Sequence, residues 1–190
     1  SGEYWWYSRD NVWEDRKLAR FFPRETLDAR SIRRETGPDW DYWHVEVAKS
    51  VKKMRDAGIR IQVGGHGQLQ GLSPNWEAWS LVQGGFTPFE ALRAFTIDGA
   101  DYIGLSKQLG SLEVGKQADL VVLNSNPLEN IRNTIDTRYV MVDGRLFDVE
   151  KDMAEVGGLN AKAPEFFWHR QADGLTFGEG GTEAHSHTED

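Results

Sequence analysis

The sequence predicts an α/β protein, and three local patterns carry that prediction. A helical stretch, Gly58, a short β-branched run and a glycine-rich loop follow one another, which is the order of elements in a βα-type unit. Further on, a capped helix precedes two short apolar runs on either side of Gly115-Lys116. Asp143-Gly144 then separates two alternating runs, a strong signal for a two-residue hairpin. The chain is therefore expected to combine helices with short strands.

Composition narrows the class of protein. The 190 residues are 39% hydrophobic and 27% charged, which suits a globular chain of one or two domains. A formal charge of −8 argues against a general nucleic-acid binder. No apolar run approaches the ~20 residues of a membrane span, and no signal peptide is visible. Because cysteine is absent, disulfides, thiolate metal ligands and a cysteine nucleophile are excluded.

The N-terminal part is aromatic and then strongly charged. Residues 3–13, EYWWYSRDNVW, offer large apolar surfaces. They fit packing in a core or interface, or the aromatic wall of a substrate pocket. Residues 14–37 are expected to form two short helices, interrupted at Phe21-Phe22-Pro23 and resuming near Arg24.

A longer helix is predicted from Tyr42 to Ala57, capped by Asp41 and ended by Gly58. Its apolar stripe consists of four side chains at helical spacing, Trp43, Val47, Val51 and Met54. His44 lies one position from this stripe, where a lone histidine is usually packed or solvated.

The next stretch contains the candidate site. Residues 59–63 are expected to form a strand that leads into the loop Gly64-Gly65-His66-Gly67-Gln68. Gln68 and Gln70 flank this loop and can hydrogen-bond a polar substrate. A helix over residues 75–82 follows, and it supplies Trp76, Trp79 and Leu81 for packing. Glu77 is the carboxylate nearest to His66 in sequence; it is either a partner that orients the histidine or an ordinary surface residue.

The clearest local signals follow this helix. Thr87 and Glu90 form a capping box, with Pro88 at the first helical position. A buried stripe of Leu92, Phe95, Gly99 and Ile103 is predicted, with a left-handed exit at Gly104. Residues 111–114 and 120–123 are expected to pair as a hairpin around Gly115-Lys116.

The C-terminal part is expected to be less regular. Residues 138–142 and 145–147 are two strands joined by Asp143-Gly144. Residues 151–170 suggest a last helix, and residues 178–190 have the glycine-rich, acidic composition of a disordered tail. That tail contains His185-Ser186-His187, a His-x-His pair of the kind that can bind metal, here in a segment expected to be flexible.

Two motifs, TPFEALRAFTIDGADYIGL and GSLEVGKQADLVVLNSNPLENI, closely resemble the C-terminal end of the amidohydrolase superfamily, with imidazolonepropionase- and dihydroorotase-like relatives. The resemblance runs over about residues 43–148. It implies the last one or two units of a (β/α)₈ barrel, followed by strands of a small β-sandwich. A complete barrel needs about 250 residues. The implied division is a partial barrel over 1–108, sandwich strands over 109–150, a docking segment over 151–177 and a tail over 178–190.

The resemblance also implies a function. Members use one or two divalent metals, such as zinc, to activate water against amide, ester or related carbonyl bonds. His66 occupies the position where the family usually carries an aspartate that ligates the metal and takes a proton from the water. We therefore expect His66 to be catalytic and to bind metal, with Gln68, Gln70 and Trp76 contacting a small-molecule substrate. The remaining metal ligands of the family pattern lie outside this chain.

Two other functions are compatible with the sequence. One is a catalytically incomplete remnant, which works by forming homo-oligomers or by binding a missing N-terminal half. The other is ester hydrolysis without metal, using His66 with Ser73 or Ser80, although neither serine lies in a nucleophile-elbow motif. Some relatives are extracytoplasmic and carry a propeller domain upstream, so a periplasmic or secreted location is compatible with the resemblance.

Overall fold

A computed structural model of the chain describes residues 2–10, 12, 15–31, 37–65, 69 and 71–158. These residues form a helical body followed by a small antiparallel sheet. The α-helices are α1 (Gly2–Tyr7), α2 (Arg16–Phe21), α3 (Arg24–Ser31), α4 (His44–Asp56), α5 (Ser73–Gln83), α6 (Pro88–Phe95) and α7 (Ile97–Tyr102). The strands are β1 (Leu120–Leu123), β2 (Thr137–Val142), β3 (Arg145–Asp148) and β4 (Ala154–Glu155). Short 3₁₀ helices span Asp39–Asp41, Ile131–Ile135 and Val149–Lys151.

Helix α5 is the centre of the core. Trp76 and Trp79 are only 2% and 1% exposed. Two aromatic residues of α1 pack edge-on against them, Tyr7 against Trp76 at 4.8 Å and Trp6 against Trp79 at 5.1 Å between ring centres. The prediction that α5 supplies packing residues is confirmed, and the aromatic N-terminal segment contributes to the core.

Helix α6 begins as predicted and ends earlier than predicted. The Thr87 side chain accepts from the backbone of Glu90, and the Glu90 side chain accepts from the backbone of Thr87, so the capping box is confirmed. The helical run breaks at Thr96, whose side chain turns back to the Leu92 carbonyl, and α7 starts afresh. The first half of the predicted stripe is confirmed, because Leu92 and Phe95 are half-buried and pack against the core. After the break the stripe does not continue to Ile103, which is 62% exposed. The most buried residues of the two helices are Ala91, Ala94, Asp98 and Ala100.

Helix α4 forms where expected, but its cap and its buried face differ from the prediction. It begins at His44 after Trp43, and Asp41 belongs to the preceding 3₁₀ turn, so Asp41 does not cap it. The stripe predicted to be buried is largely exposed, with Trp43 at 71% and Met54 at 49%. Small Ala48 is the buried residue of the helix, because α4 approaches α5 closely on that side.

The predicted strand over residues 59–63 is not formed: the segment has no regular secondary structure and belongs to no sheet among the described residues. Its backbone is attached at its ends, through Ile59 N–H to the Met54 carbonyl and Val63 N–H to the Ala94 carbonyl. A β-ladder needs a neighbouring strand, and no described strand pairs with this segment. The helical and extended segments agree with an α/β architecture, while the closed barrel pattern is not seen in this part of the chain.

The sheet has the order β1-β2-β3-β4, and every neighbouring pair is antiparallel. The hairpin between β2 and β3 is confirmed, with both Asp143 and Gly144 at positive φ, as its two-residue turn requires. The hairpin predicted around Gly115-Lys116 is wrong, because β1 pairs with β2 instead. Residues 111–114 stay outside the sheet. Lys116 ties this loop to the Ser106 carbonyl at 2.6 Å, and Val114 is fully exposed.

The described residues after β3 form a 3₁₀ helix and the two-residue strand β4, where the predicted last helix was expected to start. Asp148 accepts two backbone N–H groups at the start of the 3₁₀ helix, and β4 then pairs with β3. The remainder of that predicted helix, and the predicted tail with His185-Ser186-His187, lie outside the described residues. Among the described residues, no helix has the length and apolar character needed to cross a membrane.

Candidate functional site

An open hollow of about 900 Å³ lies between α1, α4, α5 and the loop segment 59–65. Its floor is aromatic, because Trp6 and Trp76 line it while remaining almost fully buried. Its rim carries Tyr4 and Trp43, which are 47% and 71% exposed. The core interpretation of the aromatic N-terminal segment is confirmed, and Trp6 also lines the hollow. A role as the wall of a substrate pocket stays a prediction.

A glycine pair at one side of the hollow is held by a carboxylate. The backbone N–H groups of Gly64 and Gly65 both donate to one oxygen of Glu77, at 3.1 and 2.6 Å. Hydrogen bonds to a charged acceptor are stronger than neutral ones. Glu77 therefore fixes the backbone of the two residues that lead, in sequence, to His66.

Steric contact on the other side of the same turn reinforces this arrangement. Gly65 has φ of +48°, and a methyl group built on it would lie 2.7 Å from the Pro74 ring. Any larger residue would therefore collide with the start of α5. The turn is clamped between the Pro74 ring and the Glu77 carboxylate.

The structure describes one of the four predicted site residues. Trp76 lines the hollow, with its indole N–H bound to Asp10 at 2.9 Å. His66, Gln68 and Gln70 lie outside the described residues, so their roles stay predictions. Glu77 was considered as a partner of His66, but its described partners are the Gly64 and Gly65 amides. Its role as a backbone clamp was missed, because the sequence signal is only a carboxylate one turn into the helix that follows a glycine-rich loop.

His44 is the histidine that the structure does place in the hollow. Its Nε2 lies 3.0 Å from the Gln83 side-chain oxygen, and its ring packs 5.1 Å from Trp5. Burial against these neighbours lowers the pKa of His44, despite the hydrogen bond to Gln83. The imidazole is therefore neutral near pH 7.

The two serines considered as nucleophiles have structural partners. Ser73 accepts the Leu69 backbone N–H at 3.2 Å, and Ser80 accepts the Trp6 indole N–H at 3.0 Å. Neither is hydrogen-bonded to a histidine that could serve as its base among the residues the structure describes. His66, the base of the serine-based alternative, lies outside the described residues, so that alternative stays a prediction.

Buried charge holds α4 against α6 and α7 and so fixes one wall of the hollow. Asp98 is 8% exposed and lies 2.8 Å from Arg93 and 3.4 Å from Arg55. Arg55 also lies 3.4 Å from Glu90 of the capping box. A buried carboxylate needs such partners, because losing them would leave its charge uncompensated. The sequence did not reveal this network, since its members come from three separate helices.

Within the described ranges, no three histidine, aspartate or glutamate side chains come together as a group that could hold a metal ion. Glu77 on α5 is the carboxylate that contacts the glycine turn, and it accepts hydrogen bonds from the Gly64 and Gly65 amides. The described residues therefore do not fit a metal by themselves. His66, which lies outside them, is the remaining candidate ligand of this loop.

Comparison with known proteins agrees with this architecture. The family model described as "Amidohydrolase family" matches residues 44–147, which includes α4, the glycine turn, α5 to α7 and the sheet as far as β3. The chain belongs to the amidohydrolase family. A match over this range confirms the family expected from the two sequence motifs.

Individual relatives of this amidohydrolase chain cover similar stretches. It is 33% identical over 106 residues to an imidazolonepropionase of Parabacteroides distasonis, covering 51% of the chain and 25% of that protein. It is 32% identical over 91 residues to an N-substituted formamide deformylase of Arthrobacter pascens, covering 42% of the chain and 17% of that protein. The crystal structure of a Xaa-Pro dipeptidase with bound methionine matches with a TM-score of 0.52 at 22% identity, over 70% of the chain and 33% of that structure, which supports the fold alone. The chain thus spans about a quarter of the first of these curated relatives.

Proposed function

We propose that this chain forms the C-terminal part of an amidohydrolase-type hydrolase that cleaves amide, ester or related carbonyl bonds of a small molecule. The family match supports the reaction class, and relatives named as an imidazolonepropionase and a formamide deformylase act within it. The observation that carries the proposal is the glycine turn clamped by Glu77 at the edge of a 900 Å³ hollow. Catalytic groups need backbone support of this kind to keep their geometry.

Each residue of the proposed site has a distinct role. His66 follows the clamped turn and is the proposed catalytic residue and ligand of a divalent metal such as zinc. Gln68 and Gln70 would hydrogen-bond polar groups of the substrate. Trp76 would present a ring edge to it from the floor of the hollow, because its N–H is already bound to Asp10. A bound divalent ion supplies an activated water in this class of reaction, and its other ligands are proposed to come from parts of the protein outside this chain.

Zinc binding by the purified 190-residue chain tests this proposal. Wild type, His66→Ala and His44→Ala are compared by zinc titration at equilibrium, without desalting, because one histidine ligand holds zinc only weakly when its co-ligands lie outside the chain. All three carry His185→Ala and His187→Ala, so that the histidine pair near the C-terminus cannot bind zinc. We expect wild type and His44→Ala to bind zinc alike and His66→Ala to bind it more weakly. Equal zinc binding by all three variants, or binding by none, would contradict a metal-binding role for His66 in this chain.

A second candidate function is association, and exposed apolar surface near the unpaired segment favours it. Met54 and Ile59 are 49% and 54% exposed, and they lie together because the Ile59 N–H binds the Met54 carbonyl. Exposed apolar side chains that lie together are typical of an interface. A second copy of the chain, or a missing N-terminal half, would cover this surface.

Analytical ultracentrifugation separates the two forms of association. If copies associate through this surface, the wild-type chain sediments as a dimer or larger species at micromolar concentration. Met54→Lys with Ile59→Lys then shifts it to monomer, whereas Val142→Lys, an equally exposed residue of the sheet, does not. A wild-type monomer at all concentrations would rule out self-association and leave only the missing half as the partner.

A further inference from the structure

The four-stranded sheet has a row of apolar side chains on one of its faces. Val121 on β1, Val140 on β2 and Phe147 on β3 pair in one line across the sheet. The line ends at Glu155 on β4. Residues directly opposite each other lie on the same side of a sheet. Val142 is two residues beyond Val140 on β2 and shares that side, so these four apolar residues form what we call the Val121 face.

This face is not packed into the buried core of the described residues. Val121 and Val142 are 55% and 52% exposed. Neither of the two buried clusters in the described ranges includes a residue of β1 to β4. The Arg145 guanidinium lies 5.3 Å from the centre of the Phe147 ring, so the open part of the face is on β1 and β2. Because an apolar sheet face is stable when a second layer packs on it, this face needs a covering element.

The chain leaves the sheet on the side of the Val121 face. Glu155 belongs to the same row, and its carboxylate is held by Arg145 at 2.7 Å. After β4 the backbone turns at Gly157, which has φ of +76°. A methyl group built on Gly158 would lie 2.8 Å from two carbon atoms of the Glu155 side chain. Gly158 therefore lies against that side chain, on the Val121 side of the sheet.

The sequence after Gly158 contains aromatic side chains that suit the open face. Residues 159–165 are followed by the triplet Phe-Phe-Trp at 166–168. The seven residues of this tether span at most about 25 Å. Strands β4 and β1 are three strand spacings apart, or about 14 Å. The triplet can therefore reach Val121 and Val142, and each aromatic side chain would bury a large apolar area there.

We propose that the aromatic triplet 166–168 packs on the Val121 face and forms the second layer of the sheet. The occupant is a segment of the same chain, because a short tether gives it a local concentration far above that of a separate partner. This inference is independent of the hydrolase proposal, since it involves neither the hollow nor the glycine turn.

Disulfide trapping tests the position of the triplet, because the chain has no cysteine of its own. Phe166→Cys, Phe167→Cys or Trp168→Cys is combined in turn with Val121→Cys or Val122→Cys in the full chain. Val121 and Val122 are exposed neighbours on β1 whose side chains point to opposite faces. In a glutathione buffer we expect the best Val121 pair to favour the disulfide about tenfold or more over every Val122 pair. Equal trapping at the two positions, or none, would overturn the proposal.

Mixing two single-cysteine variants identifies which chain supplies the triplet. Val121→Cys and Phe167→Cys are combined at low micromolar concentration in the same buffer. We expect little disulfide between chains, because the tethered triplet of each chain occupies its own sheet. A disulfide between chains that forms as readily as the one within a chain would assign the triplet to a second copy and overturn the proposal.

Chymotrypsin gives a second readout that needs no cysteine. The protease cuts after aromatic residues, and a docked triplet is protected for as long as it is bound. Val121→Asp places a charge under the aromatic side chains, so we expect cleavage at 166–168 to be about threefold or more faster than in wild type. Val122→Asp is the matched control and should leave the rate unchanged. Equal cleavage rates in wild type and Val121→Asp would contradict docking on this face.

Discussion

Gly84 is the position where the packing of the helical body is most sensitive to a single added methyl group. The residue ends α5 with φ of −80°, so alanine suits its backbone conformation. A methyl group built there would overlap the main chain and Cβ of Ala48 on α4 and lie 2.8 Å from the Ala48 carbonyl oxygen. The two helices approach each other this closely only because glycine has no side chain.

The expected cost of Gly84→Ala follows from that overlap. The helices would have to separate by about 1 Å before the new contacts become ordinary. Overpacking of this kind costs about 1–3 kcal/mol. Alanine also restricts the backbone of the unfolded chain more than glycine does, which stabilises the folded state by about 0.4–1 kcal/mol. We expect a net fall of about 1–2 kcal/mol in the free energy of unfolding, or about 2–8 °C in Tm for a chain of this size.

Urea denaturation followed by tryptophan fluorescence measures the effect, because Trp76 and Trp79 report directly on the core around α5. Gly64→Ala is the matched control. Gly64 does not adopt positive φ, and no heavy atom lies within 4 Å of a methyl group built on it. We expect Gly64→Ala to change stability by less than about 0.5 kcal/mol. Equal stability of Gly84→Ala and Gly64→Ala would refute the inference that α4 and α5 are in close contact at Gly84.

Three further perturbations test other parts of the fold. Gly99→Ala should raise the free energy of unfolding by about 0.5–1 kcal/mol in the same urea assay, because Gly99 is inside α7 with room for a methyl group. A loss of stability in this variant would contradict that geometry. Thr87→Ala should cost about 1 kcal/mol by removing the cap of α6, and Thr87→Ser should recover most of it; equal stability of the two variants would mean that the capping bond contributes nothing. Hydrogen bonding from Arg138 lowers the pKa of Asp148. The Arg138–Asp148 pair therefore stabilises the sheet fully above about pH 4, and this stabilisation is lost as the pH falls through the lowered pKa of Asp148. Asp148→Asn should therefore flatten the dependence of Tm on pH between about 5 and 2, and an unchanged slope in circular dichroism melts would refute the assignment.

Local rules predicted the features whose causes lie within a few residues of sequence. The capping box at the start of α6, the two-residue turn at Asp143-Gly144 and the break before α3 were all predicted and are all seen. Each depends on a side chain bonding a backbone group up to three residues away, or on the backbone conformations that particular residues allow. A short stretch of sequence therefore contains all the residues that are needed to predict such a cap or turn.

The candidate site was only partly predictable. The glycine turn and Trp76 were identified, because a glycine-rich loop between an extended run and a helix is visible in the sequence. The clamp by Glu77 and the position of Asp41 on the rim of the hollow were not. Asp41 was expected to cap α4, and only the position of the 3₁₀ turn shows that it faces the hollow instead.

By itself the sequence determined the family, the approximate positions of most helices and the strand pair at Asp143-Gly144. Tertiary structure alone decided which surfaces meet. It gave β1 the partner β2 in place of residues 111–114. Tertiary packing buried Ala48 against Gly84 and left most of the predicted apolar stripe of α4 exposed to solvent. The physical reason is the sequence separation of the interacting residues. Caps and turns depend on neighbours along the chain. Strand pairing, helix contact and burial depend on segments that are distant in sequence, and the hydrophobic pattern of a segment does not specify which other segment it will contact.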